Sequence, residues 1–136
     1  MIKDPDTTEY KVVRVASQAY TKGDAVHRDR TSDAIEVVVA TASSNTRNIY
    51  GVAMETVTSS ATELLVALIT PQQTWKVEVA NTASANHNGQ RMILSDKDSV
   101  NNTGTDDTTD EAVFVQEGVV GTTQITGKFL QAATAA

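Results

Sequence analysis

The 136-residue sequence contains no cysteine. Disulfides, thiolate nucleophiles and zinc–thiolate centres are excluded together, and the fold must be held by non-covalent contacts. Aromatic residues are almost as scarce: Tyr10, Tyr20, Tyr50, Trp75, Phe114 and Phe129 make up 4% of the chain. Its core has to be packed from Val, Ile, Leu and Ala, each of which buries less area than a ring. A chain this long is expected to form one domain and to bury roughly two-thirds of the surface exposed by its unfolded form. Positive charge is also lacking, with 11 Lys and Arg against 17 Asp and Glu and a net charge of −6. The basic residues are scattered, so counterion release has no patch to act through and no nucleic-acid partner is expected. The longest apolar run, "LLVALI" at 64–69, is far too short to span a bilayer, and the opening "MIKDPDTTEYK" has no apolar h-region. A soluble intracellular product without a membrane partner is expected. The sequon at Asn101-Asn102-Thr103 therefore carries no weight.

What is present is a succession of short β-rich runs separated by Gly, Asn, Ser, Thr and Asp clusters, the pattern of a sandwich or barrel. Candidate strands are 10–16, 25–28, 34–40, 49–56, 63–69, 74–79, 90–95, 112–117 and 124–130. In "TWKVEV" the alternation is clean, with Trp75, Val77 and Val79 on one face and Thr74, Lys76 and Glu78 on the other. Ser60-Ala61-Thr62-Glu63 has the spacing of a helix capping box, and Pro71 would end such a helix. The run "LLVALI" lacks a polar face, however, and a strand covered on both sides is preferred. The fold class read from these features is all-β: a single compact antiparallel barrel or sandwich over residues 10–130. A flexible N-terminal arm (1–9) and a flexible C-terminal tail (131–136) flank it. Residues 80–89 and the acidic stretch 96–111 have little to bury and are expected as exposed loops.

No constellation for chemistry emerges. Asp96, Asp98, Asp106, Asp107, Asp110 and Glu111 offer hard oxygen ligands, but an EF-hand counted from Asp96 meets Asn101 where Gly is needed and Asp107 where Glu is needed. A solvated acidic loop is the preferred reading, and no metal site is assigned. His27 and His87 are the only histidines, and neither has a local carboxylate and nucleophile to make it a catalytic base. Glu36, Glu55, Glu63 and Glu78 look like the polar faces of ordinary strands rather than a glycosidase pair. The seven glycines form neither a dinucleotide-binding nor a phosphate-binding loop and are read as turn and bulge positions. Trp75 is expected to be core rather than a sugar-stacking platform. The chain is expected to be no enzyme and to need no cofactor.

The series "AYTKGDAVH", "AIEVVVATA", "IYGVAMETV" and "ELLVALI" resembles capsid decoration proteins of tailed bacteriophages. In that group a G-[DE]-x-V turn leads into a strand, and a G-V-A strand precedes another apolar strand. Gly23, Asp24 and Val26 take the first set of places here, and Gly51, Val52 and Ala53 the second. The resemblance spans residues 10–70, and the long acidic loop departs from it. It implies a head-stabilising cement protein, a homotrimer on the outer surface of the virion capsid, made in the host bacterial cytoplasm and partnered by the major capsid protein. Multivalent attachment would let modest contacts add up. The residues expected to bind the capsid are those of the arm and its junction, Ile2, Lys3, Asp4, Pro5 and Tyr10. The alternative is a carbohydrate- or receptor-binding module of a phage tail or fibre, with Trp75 or Tyr50 stacking on sugar.

Overall fold

The computed structural model describes residues 2–3, 10–15, 18–29, 36–40, 49–70, 72–102 and 112–130. Within them lie β1 (Ile2–Lys3), β2 (Tyr10–Val15), β3 (Ala25–Asp29), β4 (Glu36–Val39), β5 (Ile49–Ala53), β6 (Glu63–Leu68), β7 (Trp75–Val79), β8 (Arg91–Met92), β9 (Leu94–Asp96), β10 (Ser99–Val100), β11 (Phe114–Val119) and β12 (Gln124–Phe129). The only helical piece among the described residues is a 3-10 turn at Ala85–His87. No helix there is long and apolar enough to cross a membrane. The chain is all-β.

The strands form two bodies of pairing. Strands β2, β4, β3, β5 and β6, in that order, close into a barrel. A seven-stranded sheet runs β8, β11, β12, β7, β10, β9, with β1 attached to β7. Most pairs are antiparallel, but β2–β4 and β7–β10 are parallel. Parallel neighbours need long connections, so neither pair is visible in local sequence.

Strand alternation explains why there are two cores. Val13, Tyr20, Val26, Val37, Ala53, Leu64 and Val66 fill the barrel interior. The opposite parity on the same strands, Ala25, Val52 and Ala67, joins Ala40, Ile69 and the sheet residues Trp75, Val77, Met92, Leu94, Phe114, Ile125 and Phe129 in a second core between barrel and sheet. Three barrel residues at this contact are alanines, whose small side chains let the sheet approach closely. The scarce rings are concentrated on the sheet side. Phe129 meets Trp75 edge-on at 5.7 Å and Phe114 at 5.3 Å, pairs worth about 0.5–1.5 kcal/mol each beyond area burial. Tyr20 does the corresponding work in the barrel: it is fully buried, and its hydroxyl donates to the Val37 carbonyl at 2.7 Å.

The strand preferred for 63–69 over a capped helix is present as β6, which Glu63 opens, because an apolar run between the sheet and the barrel lumen has no use for a polar face. Several sequence expectations need correction. The expected strand 90–95 is two short strands broken at Ile93, and 49–56 ends as a strand at Ala53. Gly51 and Gly127 lie inside strands, each beside a register shift, in line with the bulge reading. The expectation of an exposed loop over 96–111 fails for its first part. Ser99–Val100 is a strand between β7 and β9, Val100 is fully buried, and Asn102 is 1% exposed. Asn102 is stitched to the expected loop 80–89: its Oδ1 accepts the Asn81 N–H at 3.1 Å, and its Nδ2 donates to the Thr82 carbonyl at 2.9 Å. Residues 103–111 and 131–136 lie outside the described residues.

Candidate interaction surface

The stretch "YTKGDAVH" is the joint between the two bodies. Gly23 has φ 98, a left-handed conformation that suits glycine, and its N–H donates to the Ala53 carbonyl at 2.8 Å. That turn delivers Asp24 to a site where it is 1% exposed. Its Oδ2 accepts the Thr21 N–H at 2.9 Å and lies 3.4 Å from Lys97 Nζ, while the Ala25 N–H donates to the Lys97 carbonyl at 2.7 Å. Val26 then points into the barrel while Ala25 faces the sheet. The second motif follows the same logic, with Val52 on the sheet side and Ala53 inside the barrel. Gly51 is required by close approach: a Cβ there would overlap the Ala67 carbonyl oxygen and Val66 Cγ1. These motif residues build the scaffold.

The outer face of β2 is the exposed apolar surface that the scaffold presents. Val13 points inward and is 4% exposed, whereas Tyr10 and Val12, on the opposite parity, are 47% and 57% exposed. Val12 pairs in register with Leu65 of β6, which is half-buried, so the apolar strip continues onto the neighbouring strand. A second exposed apolar spot is the β11–β12 hairpin tip, where Val119 and Val120 are 41% and 50% exposed. The sequence reading named Tyr10 but missed Val12, Val119 and Val120. Period-two alternation marked Val12 as facing away from Val13, yet could not say which face lacked a cover.

Of the other residues expected to bind, Ile2 and Lys3 are not free: their backbone pairs antiparallel with Lys76 and Trp75 of β7. β1 thus belongs to the sheet and β2 to the barrel. Asp4 and Pro5 lie outside the described residues. Trp75 is 1% exposed, with its Nε1 donating to Gln73 Oε1 at 3.3 Å, which removes it as a stacking platform; Tyr50 is half-buried.

The residues weighed for catalysis are dispersed. His27 sits on β3 and His87 in the 3-10 turn. Glu78 accepts from Thr123 Oγ1 and Gln124 Nε2, both at 2.9 Å, and Glu55 accepts the Leu65 N–H at 2.9 Å. These carboxylates fasten strands to their neighbours. Among the described residues no three His, Asp or Glu side chains are grouped to hold a metal ion.

No family model matches the sequence, and no curated protein matches it. Three solved chains match in fold. One is the N base of the head fibre gp8.5 of bacteriophage phi29, superimposing with a TM-score of 0.61 at 16% identity over 91% of this chain and 95% of that chain. The two chains share a fold nearly end to end, and the neighbour is a bacteriophage head component, in line with the resemblance read from residues 10–70.

Proposed function

We propose that this protein is a structural component of a bacteriophage virion that binds the outer surface of the capsid and stabilises the mature head. The observation that carries the reading is the near-complete sharing of fold with a phage head-fibre base, 91% of this chain against 95% of that one. In this reading the two-core body is the module, and the strip of exposed Tyr10 and Val12 continued by half-buried Leu65 is the contact with the major capsid protein. A partner covering that strip would remove apolar surface from water at about 25 cal/mol per Å². A homotrimer, each subunit offering the same strip, would multiply a modest contact through effective concentration. The role needs no catalytic group and no cofactor.

The test is to add the purified protein to heads lacking their decoration. It should bind to saturation at a fixed copy number per head and raise the temperature at which the heads disrupt. Binding without a rise would leave a head component that does not stabilise, and no binding would sink the reading.

A further inference from the structure

Asn88-Gly89 is the only Asn-Gly pair in the sequence. Such a step is chemically labile, because the following residue has no side chain to hinder its backbone nitrogen from reaching the asparagine carboxamide. The Gly89 nitrogen gives up its proton and bonds to Asn88 Cγ, and the Cγ–Nδ2 bond breaks to release ammonia. The resulting succinimide takes up one water and opens to aspartate or isoaspartate. Water is consumed and ammonia released, and no oxidant or reductant is involved.

In the fold both reacting groups are held by one residue. The Gly89 N–H donates to the Gln116 carbonyl at 2.8 Å, and Gln116 Nε2 donates to Asn88 Oδ1 at 2.9 Å. The same Nε2 donates to the Ser84 carbonyl at 2.7 Å, anchoring the start of the turn. Asn88 has ψ 130, an extended setting that carries the Gly89 nitrogen away from the carboxamide carbon. Gln116 is 1% exposed, whereas Asn88 and Gly89 face solvent. Closing this turn is also costly. Among the described residues, the buried Gln116 Oε1 and His87 Nδ1 find no hydrogen-bond partner, and opening lets water reach them.

We propose that Asn88-Gly89 is a deamidation site gated by Gln116: the closed turn keeps Asn88 inert, and local opening exposes it to conversion. Isoaspartate adds a methylene to the backbone, so the Gly89 N–H can no longer meet the Gln116 carbonyl. Conversion to isoaspartate then holds the turn off the edge of β11 irreversibly, and the site acts as a timer on this part of the sheet. This inference stands apart from the capsid reading.

The experiment ages the full-length protein at mildly alkaline pH, folded and in urea, and follows the Asn88 peptide by mass spectrometry. Conversion in urea should exceed that in the folded protein by about tenfold or more, the ratio matching the opening equilibrium read from amide exchange of Gly89. Folded Gln116→Met should age severalfold faster than wild type, with the urea rates equal. Equal folded and unfolded rates in wild type overturn the proposal, as does an unreactive Asn88 in urea. A folded Gln116→Met protein that ages like wild type removes Gln116 as the gate. If that variant fails to fold, disagreement between the wild-type ageing ratio and Gly89 exchange decides against the proposal.

Discussion

Lys97 Nζ stands 3.4 Å from the Asp24 carboxylate and so ties the β9–β10 hairpin of the sheet to the turn that enters barrel strand β3. Asp24 is buried to 1% exposure while the Lys97 side chain keeps 39%. The partners are unequal: the carboxylate depends on its protein contacts, and the ammonium retains water. Asp24 also accepts the Thr21 N–H at 2.9 Å, so its removal leaves a backbone donor without its acceptor.

Asp24→Ala should therefore destabilise the protein by about 1–3 kcal/mol. Lys97→Met, removing a part-solvated ion, should cost about 1 kcal/mol or less. Urea unfolding of both single variants and the double variant measures the coupling. Equal losses for the two singles would contradict the asymmetry.

Gly51→Ala should be more damaging than its size suggests. The added Cβ meets backbone at Ala67 and a barrel-core methyl of Val66, neither of which can swing away. A loss of about 3 kcal/mol is expected, read as a lowered urea midpoint or as failure to accumulate in soluble form.

Val12→Lys and Tyr10→Ala separate stability from attachment. Val12 is 57% exposed and Tyr10 47%, so Val12→Lys should change stability by no more than about 0.5 kcal/mol, while Tyr10→Ala, which loses the covered half of its ring, should cost about 1–2 kcal/mol. Co-sedimentation with heads should fall sharply for both variants. Retention of full binding by both would move the contact elsewhere, with the Val119–Val120 tip as the next surface to substitute.

Deleting residues 1–9 removes β1 and its two register pairs with Lys76 and Trp75. A loss of about 1 kcal/mol is expected, lowering the melting temperature by about 3–5 °C, with the far-ultraviolet spectrum still that of a β protein. If the arm also contacts the capsid, head binding will fall by more than this small loss of stability explains. Undiminished binding would confine attachment to the folded body.

Trp75 lies 1% exposed beside Phe129. Its fluorescence should be blue-shifted, insensitive to acrylamide and unchanged by glycans. A red-shifted, quenchable signal would revive the sugar-binding alternative.

The sequence alone determined the strand content and the sidedness of the strands. "TWKVEV" alternates with period two, and the structure buries Trp75, Val77 and Val79 while leaving Glu78 exposed, because successive side chains on a strand must point to opposite faces. The same rule identified Trp75 as core, and the lack of a polar face in 64–69 pointed to a strand, which the structure buries at Leu64, Val66 and Ala67 and covers only in part at Leu65 and Leu68. The turn at Gly23 was also legible, since its residues announce it locally.

Only the tertiary structure decided which strands meet and which faces stay uncovered. The barrel closes through the parallel β2–β4 pair, and β10 joins the sheet through its parallel pairing with β7. Both join segments distant in sequence, and nothing within either segment names its partner. Ser99–Val100 looked like part of a solvated acidic loop because its neighbours are polar; β7 and β9 supply the ladder that makes it a strand. Asp24 is an acid on a turn, ordinarily a surface residue, and Lys97, 73 positions away (97 − 24), helps to make its burial tolerable. Tyr10 and Val12 face outward by parity, but their availability depends on where the sheet docks. It covers Ala25, Val52 and Ala67 and leaves the β2 face open, because alternation sets two faces for every strand and only packing chooses which of them water keeps.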